Sequence, residues 1–82
     1  MIRQHYMTIT CMGNIEVTYK EKNSILEVTF ERARGNNFQT AIFSIDGTLL
    51  SNSGFSMSDL SFCYNFLVNN ANCILRIYRG EL

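Results

Sequence analysis

Eighty-two residues, 46% of them hydrophobic and 17% charged, leave room for one domain with a small core, spanning 1–82, and none for a second. Seven basic and seven acidic side chains cancel to a net charge of zero, which excludes the strong electrostatic footprint of a duplex-DNA or anionic-membrane binder. A neutral chain must also hide its apolar surface well, in its fold or in an oligomer.

No apolar run reaches the roughly 18 residues a membrane span needs, and Met1 to His5 lacks the apolar centre of a signal peptide. A cytoplasmic protein with no membrane partner is expected. Cys11, Cys63 and Cys73 are odd in number and lack C-x-x-C spacing, so they indicate neither a disulfide framework nor a zinc site. Buried, reduced thiols are expected, with no metal and no cofactor.

In chain order, Tyr6 to Met12 alternates, with Met7, Ile9 and Cys11 on one face, as a half-buried strand does. Gly13-Asn14 is a two-residue hairpin turn, after which Ile15, Val17 and Tyr19 alternate with Glu16, Thr18 and Lys20. Glu21 to Asn23 makes the next corner, and Leu26, Val28 and Phe30 alternate with Glu27, Thr29 and Glu31. Such one-sided patterning predicts an antiparallel meander, because an all-parallel sheet buries both faces. Ala33 to Asn37 is a polar turn leading into Phe38 to Ile45, whose Ala41, Phe43 and Ile45 are assigned to the core. Asp46-Gly47 reverses the chain, Thr48 to Leu50 reads as a short strand, and Ser51 to Gly54 as a loop rich in turn formers.

Ser56 and Asp59 have the spacing of a capping box, so a helix starts near Met57. Leu60, Cys63, Tyr64, Leu67, Val68 and Ala71 follow at helical spacing and fill roughly 140° of its circumference as the expected core stripe. Asn69, Asn70 and Asn72 are expected to end the helix, and Cys73 to Arg79 to return to the sheet as a last strand. The fold class predicted is α+β: an antiparallel meander of about four strands, one helix on one face, and a C-terminal strand.

The string Ala41-Ile42-Phe43-Ser44-Ile45-Asp46-Gly47-Thr48-Leu49-Leu50 resembles the first motif of the haloacid dehalogenase-like phosphatases, an apolar strand ending in D-x-D-G-T-L. The resemblance implies a phosphatase-like enzyme in a doubly wound parallel domain, with a later lysine and an acidic pair for magnesium. At the place of the nucleophilic carboxylate stands Ser44, which has no adjacent base to activate it. Asp-Gly between alternating apolar runs is also a strong hairpin signal, and the turn is the reading taken; the chain is expected not to be an enzyme.

His5 with Cys11, Cys63 or Cys73 suggests a thiolate pair only if the fold brings them together, and buried structural cysteines are the simpler expectation. Glu16, Glu27 and Glu31 sit at solvent positions of alternating strands, where a wet sheet face accounts for them. Free amides at Gly54 to Ser58 are those of any capped helix, with no glycine-rich phosphate loop before them. Arg76-Ile77-Tyr78-Arg79 interleaves basic and aromatic residues, so a single-stranded nucleic-acid site on Arg76, Tyr78 and Arg79 is one functional alternative. Lys20, Lys22, Arg32 and Arg34 are countered by nearby glutamates, which makes nucleic acid the lesser expectation.

Phe62 and Phe66 fall outside the expected core arc, on the flank shared with Asp59 and Asn70. A loop from Ser51 to Phe55 that covers them is one reading. The other is a contact surface of Phe62, Phe66 and Asp59 for a protein partner or a second copy. The functional expectation is a small non-enzymatic protein-binding module, homodimeric, using that flank or an open sheet edge. Accessory proteins of bacteria, phages or mobile elements, such as antitoxins or inhibitors of host defence, are by base rate the company of a short chain without a catalytic site.

Overall fold

A computed structural model of the chain describes residues 7–12 and 14–80, and over 7–12 the main chain alone. Tyr6, the candidate His5, Gly13 of the first turn and the side chains of Met7, Ile9 and Cys11 lie outside the described residues. The alternating segments form β1 (Met7–Met12), β2 (Ile15–Lys22), β3 (Ile25–Arg34), β4 (Asn37–Ser44) and β5 (Leu49–Ser53), and one helix follows, α1 (Met57–Tyr78). Each strand pairs antiparallel with the next, so the sheet order is β1-β2-β3-β4-β5, the meander that one-sided alternation predicts. The domain is α+β, with the helix packed on one sheet face.

Short hairpins set the register. Between β2 and β3 the chain turns on Asn23 (φ 53°) and Ser24 (φ 66°), both left-handed. Two consecutive left-handed residues twist in the sense the flanking strands require. The corner therefore lies at Asn23 and Ser24, and Glu21 and Lys22 are still in β2.

Cross-strand partners share a face, and the pairs Val17 with Phe30, Tyr19 with Val28, Phe30 with Ala41 and Val28 with Phe43 carry the core. All six of these residues are buried, together with Ile15 and Leu26, and Ile45 packs against them. Phe30 sits at the centre, edge-to-face with Phe43 at 5.7 Å and with Phe66 of the helix at 6.1 Å. Such ring pairs add about 0.5–1.5 kcal/mol each beyond area burial. The opposite face is charged as expected at Glu16, Lys20, Glu27 and Glu31, but its centre is dry: Thr18 and Thr29, directly opposite each other, are both buried.

Three expectations are corrected. First, β5 runs on through Ser51, Asn52 and Ser53, where turn formers suggest a loop. Pairing with β4, from Thr40 opposite Ser53 to Phe43 opposite Leu49, outweighs their local preference. Second, Cys73 to Arg79 is not a strand: α1 continues to Tyr78, and Arg79 is its C-cap. Asn69, Asn70 and Asn72 do not stop the helix, because asparagine costs an interior position only about 0.7 kcal/mol and no glycine or proline intervenes. Asn70 donates its side-chain amide to the Phe66 carbonyl at 2.8 Å. The stop comes at Gly80, left-handed at φ 75°, whose amide donates to the Ile77 carbonyl at 3.0 Å.

Third, the helix is rotated relative to the stripe read from its first half. Its buried residues are Cys63, Leu67 and Ile74, with Leu60, Phe66, Leu75, Ile77 and Tyr78 packed beside them. Tyr64 and Val68, assigned to the core, are 45% and 53% exposed, while Phe66, assigned to the outside, faces Phe30. At 100° per residue the core meridian has turned by about 60° towards the Phe66 flank. The added turns of helix explain it, since Ile74 and Ile77 pull the apolar centroid in that direction.

A candidate interaction surface beside the edge strand

The N-terminus of α1 is fixed by the expected capping box. The Asp59 amide donates to Ser56 Oγ at 3.1 Å, and the Ser56 amide donates to Asp59 Oδ2 at 3.4 Å. Asp59 also takes Arg32 Nη2 at 2.8 Å, and Arg32 Nε donates to Gln39 Oε1 at 2.8 Å. The Arg32 side chain is only 11% exposed, so its charge needs these acceptors. Its guanidinium lies 5.0 Å from the centre of the buried Phe55 ring. Gln39 Nε2 then donates to the Gly54 carbonyl at 3.0 Å, and Asn52 holds Phe55 by two hydrogen bonds of 3.1 Å, one to its amide and one to its carbonyl. These contacts fasten β3, β4, the 54–56 connection and the first helical turn into one unit. The Arg32 hydrogen bond, above all, holds the Asp59 carboxyl below its ordinary value.

At the other end of the helix, Tyr78 donates its hydroxyl to a Glu21 carboxylate oxygen and sets its ring edge-on to Tyr19 at 6.0 Å. The Glu21 bond raises the Tyr78 hydroxyl above its ordinary value. Arg76, Tyr78 and Arg79 thus occupy the end of α1 rather than a strand.

Asp46 serves the β4–β5 turn. Its Oδ1 accepts the Ser44 hydroxyl and the Thr48 amide, the latter at 3.1 Å, and the Ser44 bond is the main reason its carboxyl is lowered. Gly47 has φ 96°, and a β-carbon there would stand 3.1 Å from the Tyr64 ring, so glycine is required by both backbone and neighbour. Among the described residues no group of three His, Cys, Asp or Glu is gathered as for a metal ion. No described helix is long and apolar enough to cross a membrane. Cys63 is buried, its thiol pushed up to about 11 by burial and then by Asp59, whereas Cys73, expected inside, is exposed.

The expected contact trio separates. Asp59 is engaged with Arg32 and the helix cap, Phe66 packs on Phe30, and Phe62 alone is exposed, at 52%. A different surface emerges on the opposite flank of the helix. Between the β4–β5 turn and the first two turns of α1 lies an open groove of about 360 Å³, lined by Phe43, Gly47, Leu49, Met57, Leu60, Ser61, Tyr64 and Asn65. Leu49 and Leu50 are about half exposed, Met57 is 79% exposed, and Val68 continues the strip along the helix. All of β5 is exposed. From Gly47 to Leu75 the sequence carries a single charged residue, Asp59, and it is paired with Arg32. The charge-depleted run from Gly47 to Leu75 is legible in the sequence, but the rotation of the helix decides which of its side chains lie outside.

Compared with protein-family models, curated proteins and solved structures, the chain matches none.

Proposed function

We propose that this domain is a non-enzymatic protein-binding module whose docking face is the groove and the β5 edge beside it. One observation carries the reading: a contiguous exposed surface from Leu49 to Val68 that is free of uncompensated charge and rich in Met, Leu and Tyr. Depletion of charge together with enrichment in aromatic residues and methionine is the composition of an interface centre. Met57 is unbranched and polarisable, which suits it to fill an irregular partner surface. The network around Arg32 holds the face in shape before binding, so little ordering entropy is lost on docking. An accessory or inhibitory role fits a domain that binds and performs no chemistry. A cytoplasmic setting belongs to the same reading, since there an exposed thiol such as Cys73 stays reduced.

Hydroxyl-radical footprinting of the protein in dilute buffer and in lysate of its native host tests the proposal. Met57 and Tyr64 should be protected in lysate, and Phe62 should not. Protection confined to Phe62, or Met57 and Tyr64 labelled as strongly in lysate and in concentrated protein as in dilute buffer, refutes this docking face.

A further inference from the structure

Resting on that reading, we propose that the partner the face fits is a second copy of this chain, joined along β5 so that the two five-stranded sheets become continuous. β5 pairs with β4 on one side, and on its other side no described strand follows. Its residues Leu49–Ser53 include no charge and no proline, the side-chain protections that keep many sheet edges from pairing. The ladder to β4 slips by one residue between Ile42 and Phe43, leaving Leu50 as the extra residue of a bulge. Regular pairing is therefore confined to Ser51, Asn52 and Ser53, a short run that joins a specific partner without propagating.

Three features favour a second copy over a foreign strand. An edge of antiparallel geometry is complementary to itself about a two-fold axis, each amide row meeting the same strand's carbonyl row. The face has no net charge and neither has the chain, so two copies approach without repulsion, while a charged partner finds nothing to pair with. Leu49, Leu50, Met57, Tyr64 and Val68 are each between 44% and 79% exposed, so pairing along β5 covers large apolar side chains beside the edge as well as the strand itself. Alone, the groove is open to solvent. With β5 paired to β5 it gains a second wall, to which the partner copy contributes Leu50.

Sedimentation velocity at about 100 µM reads the assembly. Wild type should sediment as a dimer, and Leu50→Lys, with unchanged circular dichroism, as a monomer with the dimer dissociation constant raised more than about tenfold. Phe62→Lys, about 120° round the helix from the face, should remain dimeric. If Leu50→Lys unfolds, Ser53→Lys on the same edge replaces it. In a mixture of isotope-labelled and unlabelled protein, intermolecular contacts should appear between β5 of one copy and β5 of its partner. A wild type that stays monomeric overturns the second-copy assignment while leaving the lysate footprint to stand or fall separately. A dimer broken by Phe62→Lys but not by the edge variants overturns the β5 route.

Discussion

Replacing Ile74 by alanine separates the helix as it is packed from a helix that ends near Asn70. Ile74 is 1% exposed and lies seven residues, two turns, beyond the fully buried Leu67 on the same meridian. Truncating such a side chain costs about 2–5 kcal/mol, a large share of the roughly 4–12 kcal/mol expected for a chain of this length. Taking about 3 kcal/mol, and an unfolding entropy on the order of 170 cal/mol/K, the melting temperature falls by about 17 °C. Asn69→Ala is the matched control, because Asn69 is exposed on the helix and lies outside the docking face. Alanine is the better helix former, so this variant should be neutral or up to about half a kcal/mol more stable. Urea unfolding followed by far-ultraviolet circular dichroism measures both, and an unchanged slope confirms that the same surface is exposed on unfolding. An equal loss in the two variants, or an Ile74→Ala midpoint indistinguishable from wild type, would refute the packing described for α1.

Two further outcomes follow from local geometry. The carboxyl of Asp59 is lowered in the folded state, so its contribution is complete above the ordinary value near 3.8 and is lost as pH falls from there through the folded value; Asp59→Asn should flatten that acid limb of the stability curve, and an unaltered limb would show the Arg32 pair to be without effect. Ser24 holds φ 66° at the second position of the β2–β3 turn, where glycine is at ease, so Ser24→Gly should raise stability by about 0.5–1 kcal/mol in the same urea experiment; a loss would mean that the serine side chain is needed in the turn.

Local signals carried much of the fold. Period-two alternation in Ile15 to Lys20 and Leu26 to Glu31 reports which strand residues face the helix, though not that Thr18 and Thr29 on the other face are buried, and Asp46-Gly47 reports a reversal, because strand facing and tight turns depend on neighbours within a few residues. The capping box at Ser56 and Asp59 is equally local. What escaped was decided by contacts made far along the chain. Ser51 to Ser53 has turn-forming composition yet is held as strand by β4, and the end of α1 is held on the sheet by Tyr78 meeting Tyr19 and Glu21, 57 residues earlier in the second case.

The candidate face shows the same division. By itself the sequence determined that Gly47 to Leu75 is almost without charge, that a helix begins at Met57, and that zero net charge leaves apolar surface to be covered. Only the tertiary structure decided which apolar side chains remain outside. The rotation of α1 is chosen by its whole length against the Phe30 centre, so Phe66 goes in while Tyr64 and Val68 come out. A helix buries the arc that maximises contact summed over all its turns, and that sum cannot be read from the first half of the periodicity alone.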